Sequence, residues 1–474
     1  MEFDEDSLRE PPGVTAIIEK TAIYEKIICK KRTIVSEALG WRCAVSLLIR
    51  NAKIMSTQQD ILVEDGQVSQ VGEKLSFGAD REIDAKGALV LPTFIEPHIH
   101  LDKVLLAKEF GFSSSIVQAR EAIKKAKEAF TVNNVKERIM KVIPLALKQG
   151  VTVIRSHVDI DPVVELKSLI ALQEVRREYS GLLDIQIVAN PQEGIVSKEG
   201  TEELLFKALE SGADVMGALP EVERTVEESR RHLDKVFSIA REKEVDVDAH
   251  NDVLPSGRNL EYFVSKVIEN HYEGRASSAH NIALAYYPDY YAQRIIGMIK
   301  RANVTVVTNP CTMMTSGGQQ PPPLPRGITR VKELLEADVN VTYGIDNMVD
   351  PFNPFGDFSP LRNGWLLAYG AQLNSSGLFE RIPGMVTENA ARMLRLTSYG
   401  IRKGCSADLN VMNCANVSDA LRFADSPRYV IKTGSVVAEK EVTSRLFGSD
   451  EKKADTIASC SDHSIDTAGR VHLC

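Results

Sequence analysis

Between Val45 and Pro92, short apolar runs are separated by Asn, Gly and Asp (VSLLIRNAKIM, DILVEDGQVSQVG, REIDAKGALVLP), the rhythm of a small antiparallel sheet. After Pro92 the period changes. Near-continuous apolar runs alternate with amphipathic stretches: TVIRSHVDI precedes VVELKSLIALQEVRREY, DIQIVANP precedes TEELLFKALESG, and VDVDAHND precedes NLEYFVSKVIENHYEG. Such runs fit strands covered by helices on both sides of a parallel sheet. With TFIEPHIHLD as the first strand, eight strand–helix units predict an α/β chain closed into a (β/α)8 TIM barrel. An open doubly wound sheet is the alternative, but its Gly-rich phosphate turn after the first strand is missing.

Beyond residue 400 the pattern returns to β (SADLNVMN, PRYVIKTGSVVAEKEVTS). These strands are expected to join the N-terminal ones beside the barrel. The predicted division is therefore an extension of unknown role at 1–44, a β-sandwich from 45–92 and 400–446, and a barrel at 93–399. A polar tail at 447–474 is expected to be disordered, and the PPPLP run at 321–325 to form a stiff polyproline segment at the barrel mouth.

The 474 residues carry 57 Lys+Arg against 65 Asp+Glu, a net charge of −8, which disfavours nucleic acid and anionic membrane as partners. No apolar stretch approaches the ~20 residues of a membrane span. The acidic N-terminus lacks the layout of a signal peptide, so a cytoplasmic location is expected. The seven cysteines are scattered and never in CxxC spacing, which argues against a disulfide framework and a cysteine zinc module. A small-molecule enzyme or binding protein is expected, with self-association left open.

Five of the nine histidines fall at predicted C-terminal strand ends, where barrel enzymes assemble their sites. His98 and His100 form an HxH whose imidazoles share one face of a strand. His157, His250 and His280 end the second, fifth and sixth strands, and Asp346 ends the eighth. Imidazoles and a carboxylate converging there suit one divalent ion, zinc or iron(II) first, with manganese and cobalt as alternatives. Such an ion acidifies water, and Asp346 could relay a proton to a leaving nitrogen. A lone strand-end histidine is more often a packing residue, and His157 is left between the two roles. His232, in the charged run SRRHLDK, is expected to face solvent, His271 to sit at a helix end, and His463 and His472 to lie in the tail.

The phrases PTFIEPHIHLDK, RSHVDI, NPQEGI, GADVMGALP, SSAHN, RGITRVKELLEADVNVTYGIDN and VDPFNPFGD resemble, in that order, the cytosine deaminase branch of the amidohydrolase superfamily. The resemblance implies a metal-dependent barrel flanked by a β-sandwich. It implies that His98, His100, His250 and Asp346 bind one metal, that His280 orients or polarises water and substrate, and that Gln192 reads the polar edge of a planar heterocycle. No lysine lies in the fourth strand, so a mononuclear site is implied. Three positions depart from the branch. Val253 stands where a glutamate shuttles a proton to the ring, Asn347 replaces a substrate-contacting carboxylate, and Ile345 replaces a histidine. Asp252 and Glu193 are candidates to supply the missing acid. The expected function is hydrolysis of a non-peptide C–N bond in a small planar nitrogen-containing molecule other than cytosine. An amide, carbamate or urea hydrolase, with a pocket made apolar by Val253 and Ile345, is the alternative. A non-catalytic metal-bearing scaffold is the rival from another class.

Overall fold

The computed structural model describes residues 46–113, 115–316, 326–375 and 377–441. The readings made for 1–44, PPPLP and 447–474 lie outside the described residues. Strands β1 (Ser46–Ile54), β2 (Thr57–Glu64), β3 (Gln67–Gly72) and β4 (Arg81–Asp84) form one sheet in the order β3-β2-β1-β4. Strand β5 (Val90–Pro92) leaves it to pair with β14 (Leu409–Val411), in a second sheet with β15 (Tyr429–Lys432) and β16 (Ser435–Glu439). Leu47, Ile49, Ile61 and Val63 from the first sheet and Leu409, Val411 and Ile431 from the second share one apolar core, which joins the two ends of the described chain.

Between them run β6 (Phe94–Ile99), β7 (Val151–Asp159), β8 (Asp184–Asn190), β9 (Val215–Ala218), β10 (Asp246–Asn251), β11 (Ala276–His280), β12 (Thr305–Thr308) and β13 (Val341–Tyr343). Each pairs in parallel with its neighbour in sequence, at the eight predicted positions. The ring closes where Asp346 N–H donates to His98 O at 2.8 Å and His100 N–H donates to Asp346 O at 2.9 Å. Glu96 supports this seam from within, accepting from His98 N and Ile345 N at 3.1 Å each. Burial raises its carboxyl to about 8.

The outer helices dock by their apolar stripes. The helix Val226–Glu242, capped by the Thr225 side chain, buries Leu233, Val236, Phe237 and Ala240 at helical spacing. Inside the barrel the strand period of two stacks unlike layers. On β7 the alternate residues are Val153, Arg155 and His157, all buried. Val153 belongs to an apolar floor with Ile95, Ala279, Val307, Ala390, Ala391, Met393 and Leu394. Arg155 forms a middle layer, 2.9 Å from Asp248 and 2.7 Å from the Gln186 side-chain oxygen. His157 reaches the top layer, where the histidines meet.

Candidate active site

The C-terminal ends of the strands gather His98, His100, His157, His250, His280 and Asp346, and all six are buried. Donor atoms of His98, His250, His280 and Asp346 lie within 4.8 Å of one another. His98 Nε2 is 3.5 Å and His100 Nε2 3.4 Å from Asp346 Oδ1, and the Nε2 atoms of His100 and His250 are 3.1 Å apart. His100 thus borders the same point, with its Nδ1 3.0 Å from Lys103 Nζ. The His280 ring is set by the Asn309 side chain, 3.1 Å from its Nδ1. The His157 ring centroid lies 4.1 Å from that of His98, but its Nε2 leans toward Asp248, 3.5 Å away.

Burial makes these imidazoles poor bases. It lowers His98, His157 and His280 to about 4 and His100 and His250 well below the ordinary value. They are neutral at physiological pH and keep a lone pair to offer. Both ring nitrogens of His98, and Nδ1 of His250, have no hydrogen-bond partner among the described residues. Burial likewise raises Asp346, partly offset by the neighbouring His280. Neutral imidazoles around a carboxylate, sealed from water with open lone pairs, are an unfavourable arrangement unless a cation sits among them. The donor set fits a divalent ion. Two neighbouring acid clusters are already engaged: Asp248 by Arg155, and Asp159 by Lys103 at 2.7 Å and Lys127 at 3.3 Å.

A recess opens above the cluster. It is lined by the polar Lys103, Arg120, Gln192 and Asn347 and by Ile116, Val253, Met313 and Phe352, which pack together as an apolar side. Gln192, Val253 and Asn347, singled out in the sequence, therefore line one space with the cluster. Lys103, Arg120, Ile116, Met313 and Phe352 were not singled out; Lys103 lay inside the HLDK phrase without a role.

Four expectations fail in the structure. Asp252 does not face the recess: β10 ends at Asn251, and the Asp252 carboxylate turns to cap a helix, accepting from Asn259 N (2.8 Å), Leu260 N (3.1 Å) and Tyr287 Oη (3.1 Å). Glu193 is held 2.7 Å from the buried Lys127 ammonium. Ile345 packs in the main core and adds nothing to the recess. His232 is fully buried: its Nδ1 donates to Glu223 at 2.7 Å and its Nε2 accepts from Leu219 N at 3.1 Å. Glu223 in turn accepts from the backbone N–H of Ile195, Val196 and Ser197, which pins the loop that carries Gln192.

A barrel with neutral imidazoles and a carboxylate gathered at its C-terminal mouth has the layout of a barrel enzyme whose donor set could hold a divalent ion. Residues 119–438 match the amidohydrolase family, and the chain belongs to it. It is a hydrolase of carbon–nitrogen bonds other than peptide bonds. Over 413 residues it is 30% identical to the N-isopropylammelide isopropyl amidohydrolase of Pseudomonas sp. strain ADP, covering 84% of this chain and 98% of that one. It is similar to the 5-methylcytosine deaminase of Klebsiella pneumoniae solved with 5-fluorocytosine (TM-score 0.81, 29% identity, 84% and 99% covered). The N-isopropylammelide isopropylaminohydrolase of Burkholderia multivorans gives a TM-score of 0.74 at 25% identity, with 83% and 98% covered. No helix among the described residues is long and apolar enough to cross a membrane.

Proposed function

We propose that the chain hydrolyses the bond between a small planar nitrogen heterocycle and an amine substituent, with one divalent ion held by His98, His100, His250 and Asp346. Zinc and iron(II) suit this donor set best. The observation that carries the reading is the buried cluster of lone pairs around Asp346. When bound, the ion supplies Lewis acidity, polarising the carbon under attack and lowering the pKa of water to about 7.

The rest falls to this chain's side chains. Asp346 takes the proton from the attacking water as the new C–O bond forms, and delivers it to the nitrogen as the C–N bond breaks. His280, fixed by Asn309, donates toward the reacting centre. Gln192 and Asn347 hold the ring by its polar edge, and the apolar side beside Val253 receives the amine substituent.

Val253 is the argument against cytosine. It packs with Ile116, Ile282 and Met313, and neither Asp252 nor Glu193 replaces the absent acid. A substituted amine, seated on that apolar side, is the expected leaving group. Its likeness to the two N-isopropylammelide hydrolases supports this reading.

The test is elemental analysis of the purified protein together with a panel of aminopyrimidines, alkylaminotriazines, cyclic ureas and aryl amides, with ammonia and amine release measured separately. One metal per chain and amine release are expected. Ammonia from cytosine at an ordinary enzymatic rate refutes the role given to Val253, and metal without turnover of any member refutes the hydrolytic reading.

A further inference from the structure

Two cationic side chains border the recess. Lys103 and Arg120 line it against one carboxylate, Asp346. Lys103 is engaged by Asp159 at 2.7 Å. Arg120 is different. It stands one turn after Ile116 on the helix Ile116–Lys127, half-buried, and forms no hydrogen bond or ion pair with another described residue. Glu221 feels its charge. That carboxylate, however, is occupied by the backbone N–H groups of Val253 and Leu254, at 3.0 Å each. A planar guanidinium with free donors, bordering the recess, matches carbonyl or oxyanion oxygens in the plane of a ring.

The two amides beside it are oriented by their other partners. Gln192 Oε1 accepts from Asn190 Nδ2 at 2.9 Å and Lys103 Nζ at 3.4 Å, so the Gln192 NH2 is left for the recess. Asn347 Nδ2 donates to Asp350 at 2.6 Å, which leaves its Oδ1 as an acceptor. The recess thus offers donors from Arg120 and Gln192 and an acceptor from Asn347. Two acids that would favour a protonated ring are absent at Val253 and Asn347.

Resting on the hydrolase reading above, we propose that Arg120 selects the substrate, and that the substrate is an oxo-substituted nitrogen heterocycle bound as its anion. Its ring oxygen faces Arg120 and Gln192, and a ring N–H faces Asn347. A neutral or cationic aminoheterocycle is discriminated against by the same charge.

The test uses the full-length, metal-loaded protein and two planar probes of one ring type: barbiturate, an anion at neutral pH, and uracil, neutral there. Calorimetric titration of both is made with the parent chain, Arg120→Gln and Arg120→Lys, after matching melting temperatures show that the variants fold. Barbiturate is expected to bind at least about tenfold more tightly than uracil. Arg120→Gln removes most of that ratio by weakening barbiturate alone, and Arg120→Lys restores part of it. Equal binding of the two rings, no binding of barbiturate, or an unchanged ratio in Arg120→Gln overturns the proposal. A preserved ratio in a protein that turns over nothing overturns the hydrolytic reading and leaves charge selection standing.

Discussion

Asp346→Asn should move activity and stability in opposite directions. The residue is 2% exposed, and its nearest polar neighbours are His98 and His100 Nε2 at 3.5 and 3.4 Å, longer than good hydrogen bonds. Without a cation the carboxylate is a buried charge facing neutral rings, and burial accordingly raises its pKa. A raised carboxyl pKa means that the ionised form burdens the folded state at neutral pH. Asparagine has the same shape and also tolerates the left-handed backbone at this position, φ 68°. Removing the charge from chelator-treated protein should therefore stabilise it by about 1–3 kcal/mol, the ordinary cost of a buried unsatisfied polar group. In the metal-replete enzyme the same change removes both a ligand and the proton carrier, and turnover should fall about 10²–10⁴-fold. Urea titration in chelator gives the first quantity and amine release the second. A chelated variant less stable than its parent, or turnover left intact, would refute the role given to Asp346.

Three further outcomes are expected. His232 is held neutral by burial, below its ordinary pKa, and Glu223 is pulled down to about 2 by its hydrogen bonds, including that from His232. Both bind fewer protons folded than unfolded, so their stability is present above the unfolded pKa values and is lost as pH falls. His232→Gln should flatten the decline in urea midpoint between about pH 6.5 and 4, and an unchanged slope would count against it. Val253→Glu should raise ammonia release from aminopyrimidines at a stability cost of about 1–3 kcal/mol, because the new carboxylate enters an apolar cluster; a product assay showing no gain weakens the missing-acid argument. Gly217→Ala should destabilise by about 1–3 kcal/mol, since its Cβ would stand 2.6 Å from Ala189 O and 2.9 Å from Asn190 Cα, backbone atoms of the next strand. Denaturant midpoints check this, and a neutral result would mean that β8 and β9 separate easily.

The barrel was legible because a strand covered on both faces leaves a run of apolar residues with a polar residue at its end. His98, His250, His280 and Asp346 stand out for that reason. What sequence concealed depends on geometry just past the strands. Asp252 follows His250 by two, but the strand has already ended and φ turns to 51°, so alternation fails. His232 is flanked by Arg230, Arg231 and Asp234, which suggests a wet face. Its helical phase with Ser229, Leu233 and Val236 points inward, and that phase was the overlooked signal. Arg120 and Lys103 escape notice because long side chains act at a distance from their backbone, and nothing in a linear pattern tells which way they reach.

The hydrogen bonds that complete the ring pass through His98, His100 and Asp346 themselves. The candidate centre is therefore part of the seam that completes the barrel, not an addition to a finished shell. A growing polypeptide must emerge past residue 346 before its first and final strands can meet, so a chain cut short of that point has the imidazoles without the carboxylate and seam that gather them.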